Sequence, residues 1–141
     1  MKRLLPIFKT SFFVPLFGDG STKFQPVFID DVSLAVDEII NSQIEKKNIY
    51  ELAGPRIYSY KEFFNHISEF LNKTRVLVPV PMALMKPMIN IAEKTPISPL
   101  TSEQLTLFEK DNLVVNVDKS FQNLDINPQD TLQILKNIVV N

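Results

Sequence analysis

Three glycines, three tyrosines, one histidine and an adjacent aspartate pair are the residues of this 141-residue chain whose types could support catalysis or cofactor binding. Dinucleotide binding needs several glycines directly after a strand, so that backbone can approach pyrophosphate at a helix N-terminus. Gly18-x-Gly20-x-x-Lys23 has the first two positions of that fingerprint but a lysine at the third, and Gly54 is the remaining glycine. The flanking apolar runs make this segment a hairpin turn rather than a phosphate loop. A tyrosine that relays a proton can be activated by a lysine four residues later, whose charge lowers the phenol pKa. Four residues after Tyr50, Tyr58 and Tyr60 stand Gly54, Glu62 and Phe64, so none is equipped in that way. His66 flanks a phenylalanine stripe, has no serine or carboxylate in a triad pattern with it, and reads as a half-exposed helix residue. The chain has no cysteine, which excludes disulfides, thiolate nucleophiles and thiolate metal sites, and a single histidine argues against zinc. Asp30 and Asp31 diverge in direction as neighbours, so a helix cap accounts for them better than an acid–base pair.

The elements that must position these residues come from a chain of one-domain size. At 45% hydrophobic content the 141 residues form one unit, 1–141, or part of a larger core. Fifteen basic and sixteen acidic residues leave a formal charge of −1, which provides no electrostatic footprint for DNA or RNA. The start, MKRLLPIFKTSFFVPLF, has the basic-then-apolar shape of a secretory signal, but Pro6, Lys9 and Pro15 break the run and no cleavage motif follows. No stretch approaches the ~20 uninterrupted apolar residues that span a bilayer.

Along the chain, Phe12–Phe17 and Phe24–Ile29 read as two strands around the Gly-Asp-Gly turn, with Pro26 confining the second to an edge. Asp30 or Asp31 caps a helix with Val32, Val36, Ile39 and Ile40 on one face, ending near Lys46 or Lys47. NIYEL reads as a short strand and AGP as a turn. Ser59 and Glu62 form a capping box with Tyr58 and Phe63 as its hydrophobic staple, and Phe63, Phe64, Ile67, Phe70 and Leu71 form the buried stripe. RVLVPV is a strand, and PMALMKPMINIAEK is a helix that Pro87 kinks or interrupts. Thr101 with Gln104, and Leu100 with Leu105, repeat the box and staple. Asn127 caps a last helix with Pro128 in its first turn and Leu132, Leu135 and Val139 on one face. The sum is an α/β mixture of short strands and four to five helices, without the regular alternation of a complete doubly wound sheet.

Three segments carry a resemblance: PLFGDGSTKFQPVFIDDVSLAV, then YELAGP, then TPISPLTSEQLTLFEKDN. In that order they resemble the C-terminal half of the atypical, extended short-chain dehydrogenase/reductases of the epimerase/dehydratase superfamily. The group is typified by the NAD(P)H-binding accessory subunit of respiratory complex I and its bacterial relatives. Leu-Thr-x-x-Gln and the Asp-Asn pair favour the complex I-like branch over sugar-nucleotide epimerases. The resemblance implies the substrate-side part of an extended Rossmann-type fold, with the dinucleotide-binding half upstream of these residues. No cofactor, metal or catalytic motif is carried over; NAD(P)H is expected only together with the N-terminal half.

Three readings follow. The first is an accessory or assembly module, a split-gene product or fragment, that docks with a separate N-terminal half or with respiratory complex subunits and is not catalytic alone. It would be cytoplasmic, peripheral at the inner face of the respiratory membrane. The second is the substrate-binding half of an NAD(P)-dependent epimerase, dehydratase or reductase, with Lys23, Gln25, Asp31 and Arg56 near the substrate cleft. The third is a nonfunctional gene remnant. The Phe-rich start, Phe8, Phe12, Phe13 and Phe17, is the expected exposed docking surface.

Overall fold

The computed structural model describes residues 5–42, 49–93, 105–115 and 120–140. In chain order the elements are α1 (Leu5–Thr10), β1 (Phe13–Phe17), β2 (Lys23–Phe24), α2 (Ile29–Asn41), β3 (Tyr58–Ser59), α3 (Tyr60–Phe70), β4 (Val76–Val80), α4 (Met82–Ala92), 3-10 turns at Thr106–Phe108 and Phe121–Leu124, and α5 (Thr131–Val140). β1 and β4 pair in parallel from Phe13↔Val76 to Phe17↔Val80, whereas β2 and β3 pair antiparallel through Lys23↔Ser59 and Phe24↔Tyr58. The expected hairpin across Gly18–Gly20 is therefore absent. β1 and β2 lie in different ladders, and the glycines, at φ 58° and 76°, turn the chain from one to the other. Gly20 needs its lack of a side chain, because a Cβ would sit 2.6 Å from Leu16 Cδ2. Beyond Phe24 the second apolar run leaves strand geometry, and Pro26 lies in this extended connection.

The larger core lies on one face of the β1–β4 pair. Val14 and Leu16 point into it and meet Phe8 from α1, Phe63, Phe64 and Ile67 from α3, Met85 and Ile89 from α4, Leu105 and Phe108, and Leu132 and Leu135 from α5. Aromatic edges knit it together, with Phe8 against Phe64 at 5.1 Å and Phe24 against Phe63 at 5.1 Å. Of the four phenylalanines expected outside, Phe8 and Phe17 are buried in this core. Phe12 and Phe13 are 53% and 60% exposed and meet edge to face at 5.1 Å.

α3 forms as the sequence specifies. The Ser59 hydroxyl accepts from the Glu62 N–H at 3.2 Å, and the Glu62 carboxylate accepts from the Ser59 N–H at 2.8 Å. Tyr58 and Phe63 pack at 5.9 Å across the helix start as the staple. Those bonds hold the Glu62 carboxyl below its ordinary value of 4.5. Because the folded pKa is depressed, the stabilisation is present above the unfolded value and is lost as pH falls through the folded one. Ser59→Ala is expected to cost about 1 kcal/mol at pH 7. Urea titrations should show that the wild-type lead narrows as the buffer is taken below the usual carboxylate range.

Other helices depart from the sequence expectation. α2 begins at Ile29 with Phe28 as its N-cap and no side-chain cap bond, so neither Asp30 nor Asp31 caps it. Its buried residues are Asp31 and Ala35; of the expected apolar face, Val32 and Ile39 are half-buried, whereas Val36 and Ile40 are exposed. The helix ends at Asn41, short of Lys46, and residues 43–48 lie outside the described set. A second small core gathers where Ala35 meets Phe121 and Leu124, with Val27, Ile39 and Leu52 packed against it. Of NIYEL, Asn48 lies outside the described residues, and residues 49–52 pair with no ladder. α4 runs through Pro87 without interruption, losing one intrahelical donor on an exposed side. α5 starts three residues later than expected, at Thr131 rather than Pro128, because Asp130 rather than Asn127 is the cap and accepts from the Leu132 N–H at 2.9 Å. The Thr101/Gln104 box, Leu100 and the Val139 side chain fall outside the described residues.

Candidate functional site

A cavity of about 650 Å³ opens between the extended segments around Gln25 and Glu51–Ile57 and the loop from Ser120 to Pro128. A second hollow of about 400 Å³ adjoins it and shares Gln25, Glu51, Ala53 and Val114. Gln25 holds the shared wall: its amide donates to Gly54 O at 2.7 Å, and its carbonyl oxygen accepts from the Val114 N–H at 3.4 Å. Glu51 accepts from the Val115 N–H at 2.8 Å, tying the same two segments. Gly54 is buried where a Cβ would collide with Pro26 O, and Thr131 Oγ1 donates to that carbonyl at 3.1 Å. Across the cavity the loop is shaped by the short Phe121–Leu124 turn, which Ser120 and Asn123 close reciprocally, and by Asp125 at φ 53°.

The lining mixes carboxylates and amides with apolar groups. Glu51, Asp125 and the amides of Gln25, Gln122 and Asn127 sit beside Pro55, Ile57, Phe121 and Pro128. Among these described lining residues there is no lysine, arginine, histidine or tyrosine, so the ionisable groups the cavity offers are the carboxylates of Glu51 and Asp125.

Beside it, Asp130 organises a polar junction. It pairs with Arg56 at 3.1 Å, accepts from Tyr58 Oη at 3.1 Å and caps α5. Burial, reinforced by the Asp130 hydrogen bond, pushes the Tyr58 phenol above its ordinary value, so it remains protonated at neutral pH. Burial alone raises Tyr60. His66 stacks on Phe70 and meets Glu69 at 3.2 Å on the surface of α3, as a half-exposed helix histidine does.

Of the four candidate cleft residues, Gln25 lines both hollows, and Lys23, Asp31 and Arg56 line neither. Lys23 is exposed on β2, where its N–H donates to Asp111 at 2.8 Å. Asp31 is buried and accepts from the Gln129 N–H at 2.8 Å and from its amide at 3.2 Å, which joins α2 to the loop before α5. Arg56 is committed to Asp130. The residues that sequence reasoning missed are Gly54, Phe121 and Pro128. Only the Gly-Pro pair at 54–55 signalled that backbone makes a close turn there. The Gly18–Gly20 turn leads from β1 into β2 rather than into a helix, so it does not present the helix N-terminus that a dinucleotide pyrophosphate uses.

No family model matches the chain. Over 127 residues, 82% of its length, it is 31% identical to NADH dehydrogenase [ubiquinone] 1 alpha subcomplex subunit 9, mitochondrial, of Arabidopsis thaliana. Over 109 residues, 77% of its length, it is 28% identical to the mitochondrial NADH-ubiquinone oxidoreductase 40 kDa subunit of Neurospora crassa. The chain spans 31% and 29% of those two proteins, less than a third of the curated relatives it matches. In fold it is similar to a triphenylmethane reductase of Citrobacter sp., with a TM-score of 0.73 at 18% identity, covering 97% of this chain and 47% of that one. Sequence and fold together make the chain a homologue of part of these complex I subunits, with the architecture of a partial extended short-chain dehydrogenase/reductase.

Proposed function

We propose that the chain is the substrate-side, C-terminal portion of an accessory or assembly subunit of an NADH–quinone oxidoreductase of the complex I type, and that it is not catalytic by itself. The observation that carries this reading is the 31% identity over 127 residues to a complex I subunit. The 141 residues carry no Tyr-x-x-x-Lys pair, which supports it. On this reading NAD(P)H enters only with a nucleotide-binding half, and the partners are that half and other subunits of the respiratory complex. The protein then sits peripherally at the inner, cytoplasmic face of the respiratory membrane. No helix among the described residues is long and apolar enough to cross a bilayer, which agrees with a peripheral place.

Membranes from cells that make a tagged form of the chain, solubilised mildly and resolved on a native gel, test the proposal. The tag is expected to migrate with the NADH-oxidising complex and to leave the membrane on alkaline washing. A tag found only among small free proteins would refute the assignment.

A second reading has one specific support, the cavity of about 650 Å³ with Gln25 in its wall. Here the chain is the substrate-binding half of an NAD(P)-dependent epimerase, dehydratase or reductase. Gln25 then contacts substrate directly, while Lys23, Asp31 and Arg56 shape the surrounding cleft. Gln25→Ala should then raise KM in the reconstituted two-part enzyme; no turnover from any such pairing counts against it.

A further inference from the structure

Charge is not spread evenly along this chain. Residues 5–18 and 70–92 hold Lys9, Lys73, Arg75 and Lys86 and no acidic residue, which leaves eleven basic residues against sixteen acidic ones elsewhere. The fold brings the two segments together, because β1 and β4 pair from Phe13↔Val76 onward and the Val76 N–H donates to Phe12 O at 3.0 Å. The end of α1 joins the same place, where the two strands start. Lys73 Nζ donates to Lys9 O at 2.8 Å, Arg75 Nε donates to Phe8 O at 2.8 Å, and a further Arg75 nitrogen reaches Lys9 O at 3.4 Å. These bonds go to helix-end carbonyls, so they fix two cations without neutralising them. Among the described residues no carboxylate pairs with Lys9, Lys73 or Arg75. Glu69, the nearest acid along the chain, meets His66 at 3.2 Å, and Asp19 lies beyond the opposite end of β1. Beside the three cations stand Phe12 and Phe13, 53% and 60% exposed, with Val76 next to Phe13 and 40% exposed.

We propose that this strand-start patch, Phe12, Phe13 and Val76 ringed by Lys9, Lys73 and Arg75, seats on the surface of an anionic phospholipid bilayer. The two rings enter the boundary between headgroups and acyl chains, and the cations lie on lipid phosphates. Charge selects this occupant. A rim of one sign around aromatic groups complements a uniformly negative plane, where apolar burial and electrostatic attraction add. Each lysine or arginine held near such a plane strengthens partition about fivefold. A second copy of the chain fits poorly, because a two-fold contact through the patch would set the three cations against their own counterparts. The other exposed apolar stripe, Leu84, Met88 and Ile91 on α4, lacks the charge: the cation of that helix, Lys86, pairs with Glu109 at 2.6 Å. The inference rests on the reading that the chain lies peripherally at the respiratory membrane. It adds which residues meet the lipid and that the lipid is anionic.

Cosedimentation of the purified chain with phosphatidylcholine vesicles, with and without phosphatidylglycerol, tests it. Binding is expected only where phosphatidylglycerol is present, and it should be lost at about 1 M salt, where the screening length falls to about 3 Å. Lys9→Gln and Lys73→Gln should each lower partition about fivefold, and Phe12→Ser with Phe13→Ser roughly tenfold. All four side chains are exposed, so the melting midpoint in solution should hardly move. The chain has no tryptophan, so Phe12→Trp supplies a single reporter. Its emission should shift to the blue on phosphatidylglycerol vesicles and be quenched by brominated acyl chains, whereas Leu84→Trp should not respond. A response at Leu84→Trp alone would move the contact to α4 and overturn the assignment. Equal binding to neutral and anionic vesicles would overturn the role of the cations. No binding to either would overturn the lipid, and loss of the tag from the native complex in the Phe12→Ser, Phe13→Ser variant would then assign the patch to a polypeptide. Binding to phosphatidylglycerol, with the tag still migrating among small free proteins on the native gel, would keep the patch and refute only the complex I reading.

Discussion

Phe63→Ala is expected to destabilise the chain by about 3–5 kcal/mol, the range for truncating a buried phenylalanine. The residue is 1% exposed and stands where three elements meet. It contacts Phe24 of β2 at 5.1 Å and Tyr58 of β3 at 5.9 Å, and it is also half of the staple that fixes the start of α3. Truncation therefore opens a void, loosens the β2–β3 pair and weakens a helix entry in one step. Domains of this kind hold about 5–15 kcal/mol in total, so the loss should be near half of the stability. A thermal midpoint lower by roughly 10 °C is expected at about 3 °C per kcal/mol. Phe13→Ala is the control: its ring is 60% exposed, so the change in the lone chain should stay within about 0.5 kcal/mol. Equal losses at both positions would show that the core is not arranged as described.

Gly54→Ala is the second large effect. Gly54 is buried and its φ is not in the left-handed region, so conformational freedom is not the reason for glycine here. The reason is space. An added Cβ would run into the Pro26 carbonyl oxygen and lie 3.1 Å from its carbon, and backbone cannot yield as a flexible side chain does. The same carbonyl receives Thr131 Oγ1, and Gly54 O receives the Gln25 amide, so separating the two segments would disturb both bonds. A cost of about 1–3 kcal/mol or more follows from overpacking, together with deformation of the larger cavity. Denaturant unfolding gives the first quantity. The second is read from nuclear magnetic resonance shifts at Gln25 and Val114, which should move in the alanine variant while those of Phe64 and Ile67 do not. A variant as stable as the parent would remove the close approach from the account.

What could be read in the sequence was local. α3 was legible because its box, staple and apolar period lie within a dozen residues and agree with one another. β4 was legible as an apolar run after Arg75, but its parallel partner β1 lies some sixty residues earlier, and no local signal joins them. The face of α2 was legible only in part, through Val32 and Ile39, for a related reason. Val36 and Ile40 are apolar, yet the helix turns Asp31 inward because Gln129, far along the chain, supplies two donors to its carboxylate. Asn127 looked like a cap because it precedes proline, but Asp130 takes the role while also holding Arg56 and Tyr58. Of the residues that line the cavity, Gln25 was among those the sequence singled out, whereas Gly54, Phe121 and Pro128 come together there only through tertiary contacts.

The central claim is that these residues supply the substrate-side part of a short-chain dehydrogenase/reductase fold and that nucleotide binding belongs to another part. Thermal unfolding of the purified chain with and without saturating NADPH tests it most directly, because a ligand that binds only the folded state raises the midpoint by mass action. A cooperative transition whose midpoint is the same in both samples is the predicted result. A midpoint that climbs with NADPH concentration would mean that the chain builds a nucleotide site of its own, and would contradict the account.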